Sequence, residues 1–411
     1  MLNSIKIKFA CASIAIGFSV SMLFGQHVDP HNQLLWQITG KGLKKPSYLF
    51  GSYHSNDSRL FEFSDSTFSA LLHAEAVVLE ADIYSLFTQY DTRVENTKLK
   101  YDVNGNPYTS DKKASETKYG SEDGRPQFLD AYFQQIAYNA GKLFFPLETV
   151  EAQLEAYENI TYNNFRDYSI NALIFSQENV LNTYLQGDIE SMRQLLKTQL
   201  AISGNAYNLL ITNRNQVMTA GIDSLCKKHG LFIAVGAAHL AGPEGIIQLL
   251  KNKGYTVRQV AATYAEKPTE AELQLRRFNS YTFVDQKRNF SAVFGGVPKM
   301  DTTQGNYVLT YQEMGQGNTF IIEIIPQSER TTLKQLLPEL FFTPKSAPAK
   351  LVLQNGTVEA YEGITFIYGS GDCWRRVFLY ENQLFKLTCY GGNKFMNSNR
   401  STSFFDKVKL F

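Results

Sequence analysis

The sequence predicts an α/β sandwich with a largely parallel sheet, followed by a separate α+β or β-rich domain. Between residues 34 and 260, short apolar runs typical of buried strands alternate with amphipathic patterns typical of helices. After about Ala265, short strands of alternating hydrophobicity follow one another. A length of 411 residues leaves room for two or three such units.

The predicted α/β domain spans residues 27–265. Its strands are predicted at residues 35–38, 48–50, 76–80, 143–147, 231–235 and 255–260, each a short apolar run between turn residues. Its helices are predicted at residues 64–74, 129–140, 149–225 and 246–253, the third with breaks near Gly187 and Gly204. Ser64 or Asp65 can cap the first helix, and Gly141 can end the second. Residues 96–125 are polar and are expected to form a mobile insertion.

The predicted C-terminal domain spans residues 275–411 and follows a polar linker at 266–270. Its strands are predicted at residues 280–284, 290–294, 307–311, 319–325, 350–353, 363–368 and 376–380, with a helix at 331–337. Cys373 and Cys389 both lie in this part and can form a disulfide in an oxidising compartment. No Cys-x-x-Cys occurs, so neither a thiolate zinc site nor a redox motif is indicated.

Composition and the N-terminus indicate an exported globular protein whose main partner is not nucleic acid. Hydrophobic residues make up 44% and charged residues 19%, and the formal net charge is only +1, with no long basic block. Residues 1–25 resemble an export signal, since Lys6 and Lys8 precede an apolar run that ends near Gly25. The alternative is an uncleaved anchor, but that run is short for a membrane span of about 20 residues. We expect a periplasmic or extracellular location, with association to the outer membrane left open.

Two segments end in the same way, with an apolar strand followed by Gly-x-x-His. They are Gly51 to His54 and Gly236 to His239, in a chain that has only six histidines. A glycine lets the strand end turn tightly, and open α/β sheets bind ligands beyond the carboxyl ends of their strands. Two imidazoles at neighbouring strand ends form the basis of a metal site. The alternative is an incidental repeat.

Carboxylates and an arginine occupy comparable positions. Glu80 follows the buried strand 76–80 and is either a metal ligand, a general base or a carboxylate that caps the next loop. Arg214 falls on the inner face of a helix, where it either stabilises an oxyanion or pairs with Glu80 or Glu148. Glu148 and, five residues later, Gln153 can support the site or orient a substrate, and Glu148 can equally stabilise a helix start.

The order and number of these motifs resemble the TraB/GumN family, which includes the TIKI proteases. The matching blocks are residues 34–38, 46–54, 78–80, 147–153, 213–215 and 235–240, with Gly242, Gly245, Gly254 and Tyr255, and they cover residues 33–262. The resemblance implies a mixed central sheet flanked by helices, shared with erythromycin esterase-like proteins, and a metal-dependent hydrolase. Ser52 stands where the first motif commonly has Thr, so the hydroxyl is retained.

Carried over from the family, the active-site residues are His54, His239 and Glu80, with Arg214 nearby and Asn215 as a further supporting residue. The resemblance implies a TIKI-like metallopeptidase that acts on a peptide or protein, with Mn or Co favoured and Zn as an alternative. A second hypothesis is a non-catalytic module that binds a peptide or signal in the same pocket. A third, a non-haem Fe(II) oxygenase, is permitted by two histidines and a carboxylate but disfavoured by the resemblance.

Overall fold

The computed structural model describes most of the chain, with gaps in both halves. The described residues are 27–29, 31–85, 100–101, 107–108, 116–117, 120–160, 177–201, 204–302, 305–341, 349–367 and 371–411. The predicted export signal at residues 1–25 and most of the predicted insertion at 96–125 therefore lie outside the described residues. The described end of that insertion is held by Asn56, whose side chain bonds the backbone of Ser121 and Arg125.

A six-stranded mixed sheet lies at the centre of the N-terminal region. The strands of this region are β1 (His27–Asp29), β2 (Leu35–Thr39), β3 (Ser47–Ser52), β4 (Ala76–Leu79), β5 (Lys100–Tyr101), β6 (Pro107–Tyr108), β7 (Glu116–Thr117), β8 (Gly120–Ser121), β9 (Leu143–Pro146), β10 (Leu231–Gly236), β11 (Thr256–Gln259) and β12 (Ala262–Tyr264). The sheet has the order β11-β2-β3-β10-β4-β9. Its first three strands pair antiparallel, whereas β3, β10, β4 and β9 run parallel. The predicted mixed central sheet is confirmed.

Helices cover this sheet on both faces. The helices of the region are α1 (Asp65–His73), α2 (Leu129–Asn139), α3 (Val150–Glu158), α4 (Gln177–Leu185), α5 (Ile189–Leu200), α6 (Asn213–Cys226) and α7 (Ile246–Asn252). Neighbouring side chains of a strand point to opposite faces, and all residues of β10 from Leu231 to Val235 are fully buried. On one face Phe133 of α2 lies 5.0 Å from Phe232, measured between ring centres. Ser64 caps α1 as predicted, by accepting a bond from Thr67.

The C-terminal region is β-rich, as predicted, and antiparallel. Its strands are β13 (Tyr281–Asp285), β14 (Phe290–Phe294), β15 (Lys299–Asp301), β16 (Tyr307–Gln312), β17 (Thr319–Pro326), β18 (Lys350–Gln354), β19 (Val358–Ile367), β20 (Gly371–Tyr380), β21 (Gln383–Tyr390) and β22 (Lys409–Leu410). Its helices, with the one that leads into it, are α8 (Glu270–Arg276), α9 (Leu333–Leu340), α10 (Asn393–Met396) and α11 (Asn399–Asp406). The strands form a seven-stranded sheet, β15-β16-β17-β21-β20-β19-β18, and a three-stranded sheet, β13-β14-β22.

Several elements of this region differ from the sequence prediction, which also lacked the short elements β15, α10 and β22. The polar linker at 266–270 runs directly into α8, which Thr269 caps. The sequence analysis missed β21, whose apolar pattern Lys386 interrupts; that lysine pairs with Glu323 on the neighbouring strand. It also missed α11, whose buried residues include Phe404 and Phe405.

The disulfide between Cys373 and Cys389 that the sequence left open is not formed, because both residues are buried free thiols. Cys389 lies opposite Trp374 in the register of β20 and β21, so these two side chains share one face of the sheet. Cys373 precedes Trp374 in the strand and therefore points to the other face. The sheet itself separates the two sulfur atoms.

Polar contacts join the two regions. The hydroxyl of Tyr311 in β16 accepts a bond of 2.7 Å from the Gln127 side chain and donates to Gln135 in α2. Gln127 also accepts a bond from the backbone of Met314. None of the helices within the described ranges is long and apolar enough to cross a membrane.

We expect Tyr311→Phe to lower the free energy of unfolding by about 1–3 kcal/mol, because it leaves two buried amide groups without their shared partner. Urea unfolding followed by circular dichroism measures this change. Tyr380→Phe is the matched control, since its hydroxyl makes an exposed bond to the Phe411 carbonyl, and its effect should stay within about 0.5 kcal/mol. Equal effects of the two substitutions would contradict the expectation.

Candidate functional site

The four parallel strands each deliver a candidate residue to the same edge of the sheet. His54 follows β3, His239 follows β10, Glu80 follows β4 and Glu148 follows β9. Because these strands are neighbours in the order β3-β10-β4-β9, their carboxyl ends are adjacent. Residues that are far apart in the sequence are thereby brought into one cluster.

An aspartate that the sequence analysis missed orients His54. Nδ1 of His54 lies 2.8 Å from one oxygen of Asp130, and the Ser52 hydroxyl donates to the other oxygen at 2.7 Å. A carboxylate can only accept here, so Nδ1 carries a proton and Nε2 is turned away from Asp130. The hydroxyl of Ser52, retained in the first Gly-x-x-His motif, thus fixes the group that holds the histidine.

An amide orients the second histidine. The Asn215 side-chain oxygen lies 2.6 Å from Nδ1 of His239, so Nδ1 donates. The amide nitrogen of Asn215 in turn donates to the Glu244 and His239 carbonyls, at 2.7 and 3.3 Å. His239 is 7% exposed, and its Nε2 lies 3.7 Å from Oε1 of Glu80. Asn215 thus fixes the ring of His239, which is the kind of supporting contact predicted for it.

The carboxylate of Glu80 lies beside His239 and close enough to His54 for its charge to raise the pKa of that histidine. Its Oε1 accepts a bond of 2.6 Å from the backbone N–H of Gly236, and its Oε2 accepts one of 2.9 Å from Arg214. The absence of a side chain at Gly236 leaves room for this arrangement. A methyl group there would lie 3.3 Å from Oε1 of Glu80, 3.4 Å from Cδ2 of His239 and 3.7 Å from Nε2 of His54. One small space is therefore shared by all three side chains.

Arg214 forms ion pairs with both carboxylates, Glu80 and Glu148. Pairing with one of them was one of the two roles that the sequence left open for Arg214. Its Nη2 lies 2.9 Å from Glu80 and 2.8 Å from Glu148, and its Nε lies 2.9 Å from Glu148. Gln153 donates to Glu148 at 3.4 Å, so it supports this cluster from α3. A π-helical turn, Asn208–Thr212, precedes α6, and the carbonyl of Leu210 in it accepts a long bond of 3.4 Å from Nη1 of Arg214.

The environment separates the pKa values of the two histidines. Loss of hydration among the surrounding side chains lowers the pKa of His54. The charge and hydrogen bond of Asp130, together with the charge of Glu80, outweigh this effect and raise the pKa to about 9. Burial, reinforced by Arg214, lowers the pKa of His239 to about 4 despite Glu80. Burial alone would raise the pKa of Glu80, but His239, Arg214, His54 and the N–H of Gly236 outweigh it and hold that pKa well below its ordinary value.

A cavity of about 640 Å³ opens over these residues. His54, Glu80, Asp130, Arg214 and His239 line it at the strand ends. Its other walls come from helices and are mainly apolar, which is typical of ligand pockets.

The donor set suits a divalent cation only in part. Imidazole nitrogens and a carboxylate oxygen are ligands for Mn²⁺, Co²⁺ and Zn²⁺, and metal-binding histidines are usually held at their other nitrogen, as both are here. Across the described ranges, however, no group of three or more His, Cys, Asp or Glu side chains is arranged to hold a metal ion. Both oxygens of Glu80 already accept bonds. The histidines therefore fit a metal better than Glu80 does.

We expect His54 to titrate near pH 9 in the metal-free protein, and Asp130→Asn to bring its pKa down by removing the carboxylate. NMR titration of the histidine Cε1–H signals measures this, with His54→Gln to assign the resonance. The folded environment stabilises the protonated form of His54 relative to the unfolded chain. This contribution to the free energy of unfolding is fully present below pH about 6.5 and is lost as the pH rises through about 9. An unchanged pKa in Asp130→Asn would contradict this assignment.

We expect Arg214→Gln to destabilise the fold by about 3–5 kcal/mol, because two buried carboxylates lose their shared cation. The double variant with Glu148→Gln should recover part of that loss. Arg276→Gln, which breaks an exposed pair with Glu272, is the control and should cost about 1 kcal/mol or less. Urea unfolding separates the three, and a loss in Arg214→Gln as small as that of the control would exclude a structural role for the pair.

Sequence comparison is consistent with this arrangement. The model of the TraB/PrgY/gumN family matches residues 34–118 and 111–259, which is more than half of the chain and includes every residue of the cluster described above. No curated protein matches the chain. The chain belongs to the TraB/PrgY/gumN family.

Proposed function

We propose that this protein is a metal-dependent hydrolase that cleaves a peptide. The observation that carries the proposal is the pair of histidines, His54 and His239, each held at Nδ1 by a side-chain oxygen and both lining one cavity together with Glu80. The resemblance to the TIKI proteases noted in the sequence supports the same reaction. The finer assignment, a TIKI-like metallopeptidase, rests on that resemblance.

His54 and His239 would hold the ion through Nε2, with Mn²⁺ or Co²⁺ favoured and Zn²⁺ as an alternative. A bound divalent cation would polarise the scissile carbonyl and lower the pKa of a coordinated water. The chain's own residues supply the rest: Asp130 and Asn215 fix the two rings before substrate arrives, so little reorganisation is needed.

Glu80 and Arg214 supply fixed charges beside the histidines. Glu80 is ionised because its pKa lies well below the ordinary value, so it suits a ligand or an electrostatic role better than proton abstraction. Arg214 is committed to Glu80 and Glu148 through Nε and Nη2, whereas within the part of the chain that the structure describes Nη1 makes only the long bond to Leu210. Nη1 is therefore the nitrogen that can donate to an oxyanion on the substrate.

A non-catalytic peptide- or signal-binding module is the second candidate function. The engagement of both Glu80 oxygens favours it, since a carboxylate already bonded to Arg214 and Gly236 gains less from a metal. The same cavity would then bind its ligand without turnover. For either function we propose export to the periplasm or the extracellular space, on the basis of the pattern in residues 1–25.

We expect Mn²⁺- or Co²⁺-stimulated cleavage of a peptide library by the full chain, and at least about a hundredfold loss of rate in His54→Ala and His239→Ala. Bound metal, measured by elemental analysis, should fall in both variants. His73→Ala is the matched control, because His73 is an exposed histidine on α1, away from the cavity. All variants are compared at equal helical content.

Gly236→Ala is a sharper version of this experiment, because it keeps every candidate side chain and adds only one methyl group to the space between them. We expect it to remain folded and to lose metal and activity together. Cleavage in Gly236→Ala at the wild-type rate would contradict the expectation that the metal and the substrate share this space. Peptide binding without cleavage under any of the metals would favour the binding module.

A further inference from the structure

One wall of the cavity is built from one face of α5, the helix that packs against the short turn Ala237–His239. Met192, Leu195, Leu196 and Leu200 line the cavity, and we call these four residues the α5 stripe. They are spaced by three, one and four positions, which places them on one side of a helix. The other side of α5 carries exposed polar residues, Gln194, Lys197 and Thr198. The apolar side of this helix is thus turned toward the candidate reaction centre.

Most of the α5 stripe has no place in a hydrophobic core. Met192 joins the core of the N-terminal region, but Leu195, Leu196 and Leu200 belong to none of the clusters formed by the described residues. All three are half-buried, so each leaves apolar surface in the cavity. An amphipathic helix normally buries such a face against its own protein. Here the face meets the space that a ligand would fill.

Ionisable groups in the cavity come from the strand ends and not from α5. Those among the described lining residues are His54, Glu80, Asp130, Arg214 and His239, and His239 is neutral at neutral pH. The polar residues on the helical side are neutral amides, Gln153 and Gln199. A charged group placed against the α5 stripe would lose its hydration without gaining an ionic partner, which is costly. An aliphatic or aromatic group would lose only unfavourable contact with water.

We propose that the recess beneath the α5 stripe selects a large, uncharged apolar side chain of the peptide, and that Leu195, Leu196 and Leu200 determine this preference. The inference deepens the proposed function and rests on it for the kind of substrate. The α5 stripe and both histidines line the same cavity, and α5 packs against the turn that ends at His239, so a peptide whose side chain lies against α5 can extend its backbone toward the histidines. The three leucines do not touch the reacting atoms; they set specificity.

Binding and cleavage are measured separately on the full chain. The probes are fluorescein-labelled peptides Gly-Gly-X-Gly-Gly, with Leu, Phe, Gln, Asp or Lys at X, and binding without metal is followed by fluorescence anisotropy. We expect the Leu and Phe peptides to bind at least about tenfold more tightly than the Asp and Lys peptides, as burial of one large apolar side chain allows. The double variant Leu196→Gln and Leu200→Gln should lower this preference from about tenfold to between about onefold and threefold.

Two further variants keep the experiment decisive. Lys197→Gln lies on the exposed side of the same helix and should leave the ratio unchanged. Leu196→Trp adds volume without adding polarity, and should shift preference from Phe to the smaller Leu at X, even if the double glutamine variant fails to fold. Thermal unfolding of each variant reports its integrity.

The outcomes for the inference and for the proposed function are distinct. Selective binding that the stripe variants abolish supports the inference, even if no metal produces cleavage and the hydrolase proposal fails. Cleavage with equal rates for all five peptides would overturn the inference while the hydrolase stands. Equal or absent binding of all five peptides, or a preference that survives the stripe variants, would overturn it as well.

Discussion

The buried carboxylate of Glu80 is the charge on which the arrangement of the site depends. It is 7% exposed, and an ionised group in that position is stable only with partners. Arg214 and the N–H of Gly236 provide them, and each partner fixes another element: Arg214 also binds Glu148 after β9, and Gly236 ends β10 beside His239. The contacts that stabilise this one buried charge therefore hold three strand ends and one helix in a single geometry.

Parallel pairing makes that geometry possible. In the register of the sheet, Gly236 lies beside Ser52 and Leu79 lies beside Pro146, so the strands end at nearly the same level. Parallel strands need long connections, and these connections supply the helices that close the cavity above the strand ends. The same topology that gathers the charged residues thus also provides the apolar wall of α5.

Much of this could be predicted from the sequence because it is local. Apolar runs and cap residues located most strands and helices, and the paired Gly-x-x-His motifs located both histidines. Asp130 was missed because nothing adjacent in the sequence links it to His54; its signal was an acidic residue next to Phe128 and Leu129, on a helix face that had to be buried. The separation of Cys373 and Cys389 depends on strand register, which hydrophobic patterns do not specify when both faces of a sheet are covered.

The two histidines are alike in sequence but are made chemically different by their partners. Asp130 brings a negative charge to His54, whereas Asn215 brings only a dipole to His239, and the pKa values separate to about 9 and about 4. At neutral pH without metal, His54 is positively charged and His239 is neutral with Nε2 as an acceptor. A divalent cation would have to displace a proton from His54 but not from His239. The carboxylate of Asp130 orients His54 for metal binding. It also raises the pKa of His54, so a proton competes with the metal ion for that imidazole.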